Sequence, residues 1–215
     1  MEGPRGKKDP EHRKQEITPV MGQPGKIGIF GGLFDPPHVG HLIIAQYVKK
    51  EFNLEKIVFL PAGKPPHKKG YSPYRHRCFM TRLAVRGNRD FLVSPLEGEM
   101  PGRTYTVDVL KNLRRSFPYA LYLIIGADQW RDIMTWKNPT ELFRLCKFIV
   151  VPRPGYPVRL IRSRFSRIRV SRAPRLDISS TLIRDLVIQG GSIKYLTPEL
   201  VIAYIKKHHL KKFWK

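Results

Sequence analysis

The feature that most constrains this chain is a series of short, unbroken apolar runs set apart by segments of helical spacing. The runs lie at 27–30 (Ile-Gly-Ile-Phe), 57–60 (Ile-Val-Phe-Leu), 91–93 (Phe-Leu-Val), 120–125 (Ala-Leu-Tyr-Leu-Ile-Ile) and 148–151 (Phe-Ile-Val-Val). Each has strand length, and only Tyr122 interrupts their apolar character. A strand that is apolar on both sides has to be covered on both sides, which is the situation in a parallel sheet. Between the runs, Leu42, Ala45, Val48 and Phe52 recur at helical spacing, as do Val107, Leu110 and Leu113. Segments 78–85, 142–145, 181–188 and 199–207 also read as helical. Arginines alternate with Ile168 and Val170, which predicts a half-exposed strand. The alternation predicts an α/β fold: a doubly wound parallel sheet in a single domain, with a small C-terminal helical part.

Composition narrows the class. With 215 residues there is material for one domain and a tail. No apolar stretch reaches the roughly 20 residues of a membrane span. The N-terminus has no apolar segment of the kind that directs export, so a cytoplasmic location is expected. Only two cysteines occur, Cys78 and Cys146, both among apolar neighbours and read as buried free thiols. The net charge of +23 points to anionic partners. Residues 1–25 carry five Lys/Arg and four Asp/Glu with little apolar content, and read as a disordered extension. Met21 lies just before the first strand and could be the true start. The domain is expected over 26–210, with a basic tail at 211–215.

Two segments carry the chemistry. The first, at 31–41, is Gly-Gly-Leu-Phe-Asp-Pro-Pro-His-Val-Gly-His, between the first strand and the first helix. Gly31 and Gly32 at a strand end allow the backbone to approach a ligand. The following helix offers N–H groups without partners and a partial positive charge, which suits phosphate. His38 and His41, three residues apart, can face the same anion. The second segment, 177–184, is Asp-Ile-Ser-Ser-Thr-Leu-Ile-Arg. Hydroxyls at a helix start with an arginine one turn on could hold phosphate oxygens, and could equally be an ordinary cap. Gly126-Ala127-Asp128 follows the fourth strand at the same sheet edge. From the residues alone, Asp128 reads equally well as a ribose ligand and as a helix cap.

The first segment is similar to the H-x-G-H signature of the nucleotidylyltransferase superfamily, carried here by His38-Val39-Gly40-His41. Its longer form resembles the nicotinate-nucleotide adenylyltransferases, and the second segment resembles that family's Ile-Ser-Ser-Thr-x-Ile-Arg. The likeness extends over about 26–210 and implies a Rossmann-like sheet. It implies that ATP is bound by Gly31, Gly32, Phe34, His38, His41, Gly126, Asp128, Ile178, Ser179, Ser180, Thr181 and Arg184. His38, His41 and Arg184 would be the catalytic groups. Lys68 in Pro65-Pro66-His67-Lys68, Tyr105 and Thr106, Trp136 and Arg153 would serve the mononucleotide. Trp136 would stack on the pyridine ring, with Trp130 a nearby competitor. Magnesium would arrive with ATP, held by phosphate oxygens and water, with no protein metal site. The chain departs from the family at 152–176, where eight arginines and no acids occur.

The implied reaction moves the adenylyl group of ATP to nicotinate mononucleotide, giving deamido-NAD and pyrophosphate in NAD biosynthesis. Nicotinamide mononucleotide and phosphopantetheine are the alternative acceptors. A different class, a basic nucleic-acid-binding protein, draws on the charge, on segment 152–176 and on the aromatic residues Phe213 and Trp214 in a lysine-rich tail. No recognised nucleic-acid module accompanies these features, so no specific nucleic acid is expected, and no membrane. Oligomeric state, including a homo-oligomer, is left open by the sequence.

Overall fold

The structure, a computed structural model, describes residues 25–64, 70–116, 118–158 and 168–214. The expectations for the N-terminal extension, for Met21 and for Lys68 fall outside these residues.

Six strands form one sheet: β1 (Lys26–Gly32), β2 (Lys56–Pro61), β3 (Phe91–Val93), β4 (Ala120–Gly126), β5 (Lys147–Val151) and β6 (Ile168–Val170). Their spatial order is β3-β2-β1-β4-β5-β6 and every pairing is parallel. The chain winds outward from β1 to β3, returns to the centre, and winds outward from β4 to β6. The strand order therefore reverses between β1 and β4, where Phe30 is in register with Ile124. The carboxyl ends of two strands that part in this way leave a crevice, the usual ligand position in such sheets. The crevice here is bounded by the Gly32 and Gly126 ends. The edge strand β6 exposes Arg169 and Val170, and a charged edge resists pairing with another chain.

Successive strand residues point to opposite faces, and each apolar run accordingly feeds two cores. On one face Ile27, Ile29, Leu121, Leu123, Ile125 and Phe148 pack beneath helices α4 (Thr106–Ser116), α5 (Ala127–Arg131) and α6 (Pro139–Leu145). On the other, Phe30, Phe59, Ile124 and Ile149 pack against Ala45 and Val48 of α1 (Val39–Glu51). A third cluster joins Met80 and Ala84 of α2 (Tyr74–Val85) to Ile183 of α7 (Ser180–Ile188) and to Val201, Ile202 and Ile205 of α8 (Glu199–Lys207). The remaining element of α type, α3 (Leu96–Glu99), is a single turn, too short to show a period in the sequence. Cys78 and Cys146 are free and buried, and burial pushes the Cys146 thiol up to about 12. Among the described residues no helix is long and apolar enough to cross a membrane.

Residues 211–214, read from the sequence as the start of a basic tail, belong to the packed structure. A 3-10 turn spans Leu210–Phe213, and Trp214 is buried in the third cluster. The sequence reading weighed the lysines and missed the apolar spacing of Leu210 and Trp214. With its ring inside, Trp214 does not serve as a surface platform for a nucleic-acid base.

Candidate functional site

The loop between β1 and α1 is the centre of the site. Phe34 takes a left-handed backbone conformation, with φ of 51°, and its ring is buried against Phe30 and Phe59. A side chain on Gly32 would press on that ring, whereas one on Gly31 would meet no protein atom. Gly31 thus presents bare backbone to the crevice, and Gly32 accommodates the turn.

His38 is the N-cap of α1 and His41 lies in its first turn. The Nδ1 atom of His41 accepts the backbone N–H of His38 at 3.1 Å. This is the returning half of a capping box, with histidine where glutamate or glutamine is usual. The three-residue spacing of the motif is therefore a capping requirement as well as a ligand requirement. Accepting at Nδ1 leaves the hydrogen of neutral His41 on Nε2, a donor directed away from the helix backbone. The two imidazoles stack with centroids 3.6 Å apart. Gly40 permits this, because a Cβ there would lie 3.0 Å from Nδ1 of His38. His38 is 4% exposed. Burial, aided by the nearby Arg153 charge, lowers its pKa from 6.5 to about 4, so the ring is neutral at physiological pH. Its Nδ1 has no partner among the described residues.

The second segment meets the first directly. The hydroxyl of Ser180 donates to the carbonyl of Pro36 at 2.8 Å, and Arg184 donates to the carbonyl of Asp35 at 2.9 Å. Arg184 also donates to the Thr181 hydroxyl. Ser179 caps α7, accepting the N–H of Leu182 at 3.1 Å. Ile178 packs against the third cluster close to Gly40. Neither α1 nor α7 has an acidic residue in its first turn. Two helix N-termini without carboxylates thus converge on one loop, and their partial positive charges add.

Across the switch point, Gly126 caps α5, and a Cβ there would strike the Asp128 carboxylate. Asp128 accepts from Arg153 at 3.0 Å, and its other oxygen is buried without a partner among the described residues. That oxygen suits a hydroxyl donor, such as a ribose. Arg153, assigned from the sequence to the mononucleotide, is thus drawn to Asp128 and towards His38.

Trp130 is core, 2% exposed and packed on Phe143 and Phe148, which removes it from the stacking role. Trp136 is half-buried. The adjacent Lys137 lies over the Tyr105 ring at 4.5 Å and pairs with Asp108 at 2.9 Å. The Tyr105–Thr106 segment and the Trp136 segment are therefore brought together. Among the described residues no group of three or more His, Cys, Asp or Glu side chains is set to hold a metal ion.

Several residues of the site were missed. Asp35 stands in the first segment but was given no role, yet it is fully buried and accepts from the Ser72 N–H at 2.8 Å and from the Trp214 indole at 3.1 Å. Arg77, also fully buried, donates to the carbonyls of Leu33, Gly63 and Ser72. Glu97 accepts from the Gly63 N–H and from Thr104. Burial raises the Glu97 carboxyl above its ordinary pKa. For Arg77 a signal existed: an arginine on the apolar stripe of α2, in step with Met80 and Ala84.

Taken together, the switch-point crevice, the paired helix N-termini and the histidine cap define a nucleotide-handling α/β protein. The cytidylyltransferase-like family matches residues 29–186. A Moorella thermoacetica protein named "Probable nicotinate-nucleotide adenylyltransferase" is 44% identical over 203 residues, covering 89% of this chain and 94% of its own. A Thermus thermophilus protein of the same name is 42% identical, over 86% and 98%. The chain belongs to the nicotinate-nucleotide adenylyltransferase family. In fold it is similar to the Plasmodium falciparum nicotinic acid mononucleotide adenylyltransferase complexed with NaAD, with a TM-score of 0.71 at 23% identity over 88% of this chain and 98% of that one.

Proposed function

We propose that the crevice between β1 and β4 binds ATP and nicotinate mononucleotide and transfers the adenylyl group of the first to the second. The observation that carries this reading is the junction of the two helix N-termini at the histidine-capped loop. An oxygen of the mononucleotide phosphate attacks the α-phosphorus of ATP. The new O–P bond forms as the bond from that phosphorus to the bridging oxygen breaks, and pyrophosphate leaves with the electron pair. The attacking phosphate is already a nucleophile, and the protein supplies alignment and charge stabilisation.

In this reading His41 donates from Nε2 and neutral His38 donates beside it, both to oxygens around the α-phosphorus. Gly31 and Phe34 shape the floor of the crevice, and Gly32 lets the backbone turn. Thr181, Arg184 and the N–H groups of α7 hold the leaving pyrophosphate, with Ser179, Ser180 and Ile178 fixing that helix in place. Gly126 and Asp128 take the adenosine, with the unpartnered carboxylate oxygen accepting from a ribose hydroxyl. Tyr105, Thr106 and Trp136 receive the pyridine ring, and the likeness in sequence alone assigns Lys68 to the mononucleotide. Arg153 stands between the substrates, holding Asp128 and facing His38. Magnesium arriving with ATP would supply neutralising charge at the phosphates, with no cluster of protein ligands needed to hold it. The catalytic unit is 26–210 with Trp214 as its anchor, and its place is the cytoplasm.

Incubation with ATP, magnesium and, in separate reactions, nicotinate mononucleotide, nicotinamide mononucleotide and phosphopantetheine tests this. Deamido-NAD as the fastest-formed product is expected. Faster turnover of either other acceptor would replace the assigned substrate.

A further inference from the structure

The loop at 35–39 is held almost entirely by the last part of the chain. Pro36 accepts from Ser180 and Asp35 from Arg184. The Thr197 hydroxyl donates to the carbonyl of Pro37 at 2.6 Å, and the Val39 N–H donates to Leu196. The fifth tie is Trp214, whose indole N–H is shared between Asp35 Oδ2 at 3.1 Å and Ser72 Oγ at 2.9 Å. Asp35 is 0% exposed, and its Oδ1 has no partner among the described residues. A buried carboxylate is costly to keep, and its orientation follows from its few donors. Both donors act on Oδ2: the Ser72 N–H and the indole. Ser72 in turn is gripped by Arg77, which also holds Leu33 on the same loop.

We infer that Trp214 is a positioning residue for adenylyl transfer. Its indole N–H sets the Asp35 carboxylate, and so fixes the carbonyls of Asp35 and Pro36 that seat Arg184 and α7 on the loop carrying His38 and His41. The inference rests on the reading of the reaction given above. Trp214, seven residues beyond the end of α8, acts on the reacting centre through a side chain that touches no substrate.

The experiment compares wild type with Trp214→Phe, which keeps an aromatic ring and loses the N–H, and with Trp214→His, which keeps a ring N–H. Asp35→Asn and the double variant Trp214→Phe with Asp35→Asn complete the set. Each is assayed for kcat and for KM of both substrates, with circular dichroism to check folding. Trp214→Phe is expected to lower kcat by about tenfold to a hundredfold, the scale for misplaced reacting groups. KM for nicotinate mononucleotide should stay within about twofold, and the double variant should be no slower than the worse single variant by more than about twofold, because both changes cut one link. Trp214→His should recover part of the loss. A folded Trp214→Phe protein with wild-type kcat, or losses that multiply in the double variant, would overturn the inference. An inert wild-type chain would instead overturn the reading of the reaction. ATP affinity by calorimetry then replaces kcat, and an unchanged affinity in Trp214→Phe counts against the positioning role.

Discussion

Ser180 and Pro36, 144 residues apart in sequence, are joined by a hydrogen bond of 2.8 Å from hydroxyl to carbonyl. This contact, with Arg184 on Asp35 beside it, makes one site from two segments that each look like an ordinary helix start. The N-terminal ends of α1 and α7 are thereby brought to one loop.

Arg184→Lys should therefore do more than weaken ATP. Lysine is a point charge without the planar fork that reaches both Asp35 and Thr181. Loss of roughly tenfold to a hundredfold in kcat/KM for ATP is expected, equivalent to about 1.4–2.7 kcal/mol. Steady-state kinetics with ATP varied checks this.

His41→Ala should lower turnover by about 10²–10³, the scale for removing a preorganised donor at a charged transition state. The helix also loses the half capping box on His38 N–H. A modest fall in melting temperature should accompany the kinetic loss, with the circular dichroism spectrum retained. Turnover near wild type in a pyrophosphate-release assay would remove His41 from the reacting centre.

His38 predicts a pH dependence of stability. It titrates at 6.5 when unfolded and at about 4 when folded. Between these values the unfolded chain binds the additional proton. The contribution of the neutral buried ring is therefore complete above pH 6.5 and is lost as pH falls towards 4. The loss amounts to about 3 kcal/mol. Urea midpoints followed from neutral to acid pH should show this slope in wild type and a flatter one in His38→Gln.

Arg77→Met leaves the carbonyls of Leu33, Gly63 and Ser72 without their buried donor. It also takes a positive charge away from the Asp35 carboxylate, which is the largest favourable influence on Arg77. Destabilisation of about 3–5 kcal/mol is expected, as when one partner of a buried charged network is deleted. Chemical denaturation measures it.

Trp136→Ala should raise KM for nicotinate mononucleotide by about tenfold, the energy of one lost aromatic stack. KM for ATP should hold, since Trp136 lies with Tyr105 and Lys137 rather than with the histidine loop. A comparable rise for ATP would place Trp136 elsewhere.

The sequence by itself determined the sheet. Apolar runs such as 57–60 can only be buried on two sides, and the first five strand positions follow from that one requirement, while β6 follows from the alternation of arginines with Ile168 and Val170. It also marked out the two helix-start segments that meet at the crevice, because capping hydroxyls and a histidine pair at three-residue spacing are local features. What it left undecided depended on distance. Trp130 competes with the favoured Trp136 for stacking until the fold buries Trp130 in the core beneath α6. Trp214 reads as part of a lysine-rich end until its indole is seen on Asp35. Arg77 and Asp35 are single charged letters whose backbone partners lie 5 to 44 residues away. Backbone carbonyls have no sequence signature. Only the tertiary structure, by closing the C-terminal helices onto the β1–α1 loop, decided which polar groups would lose water and need each other.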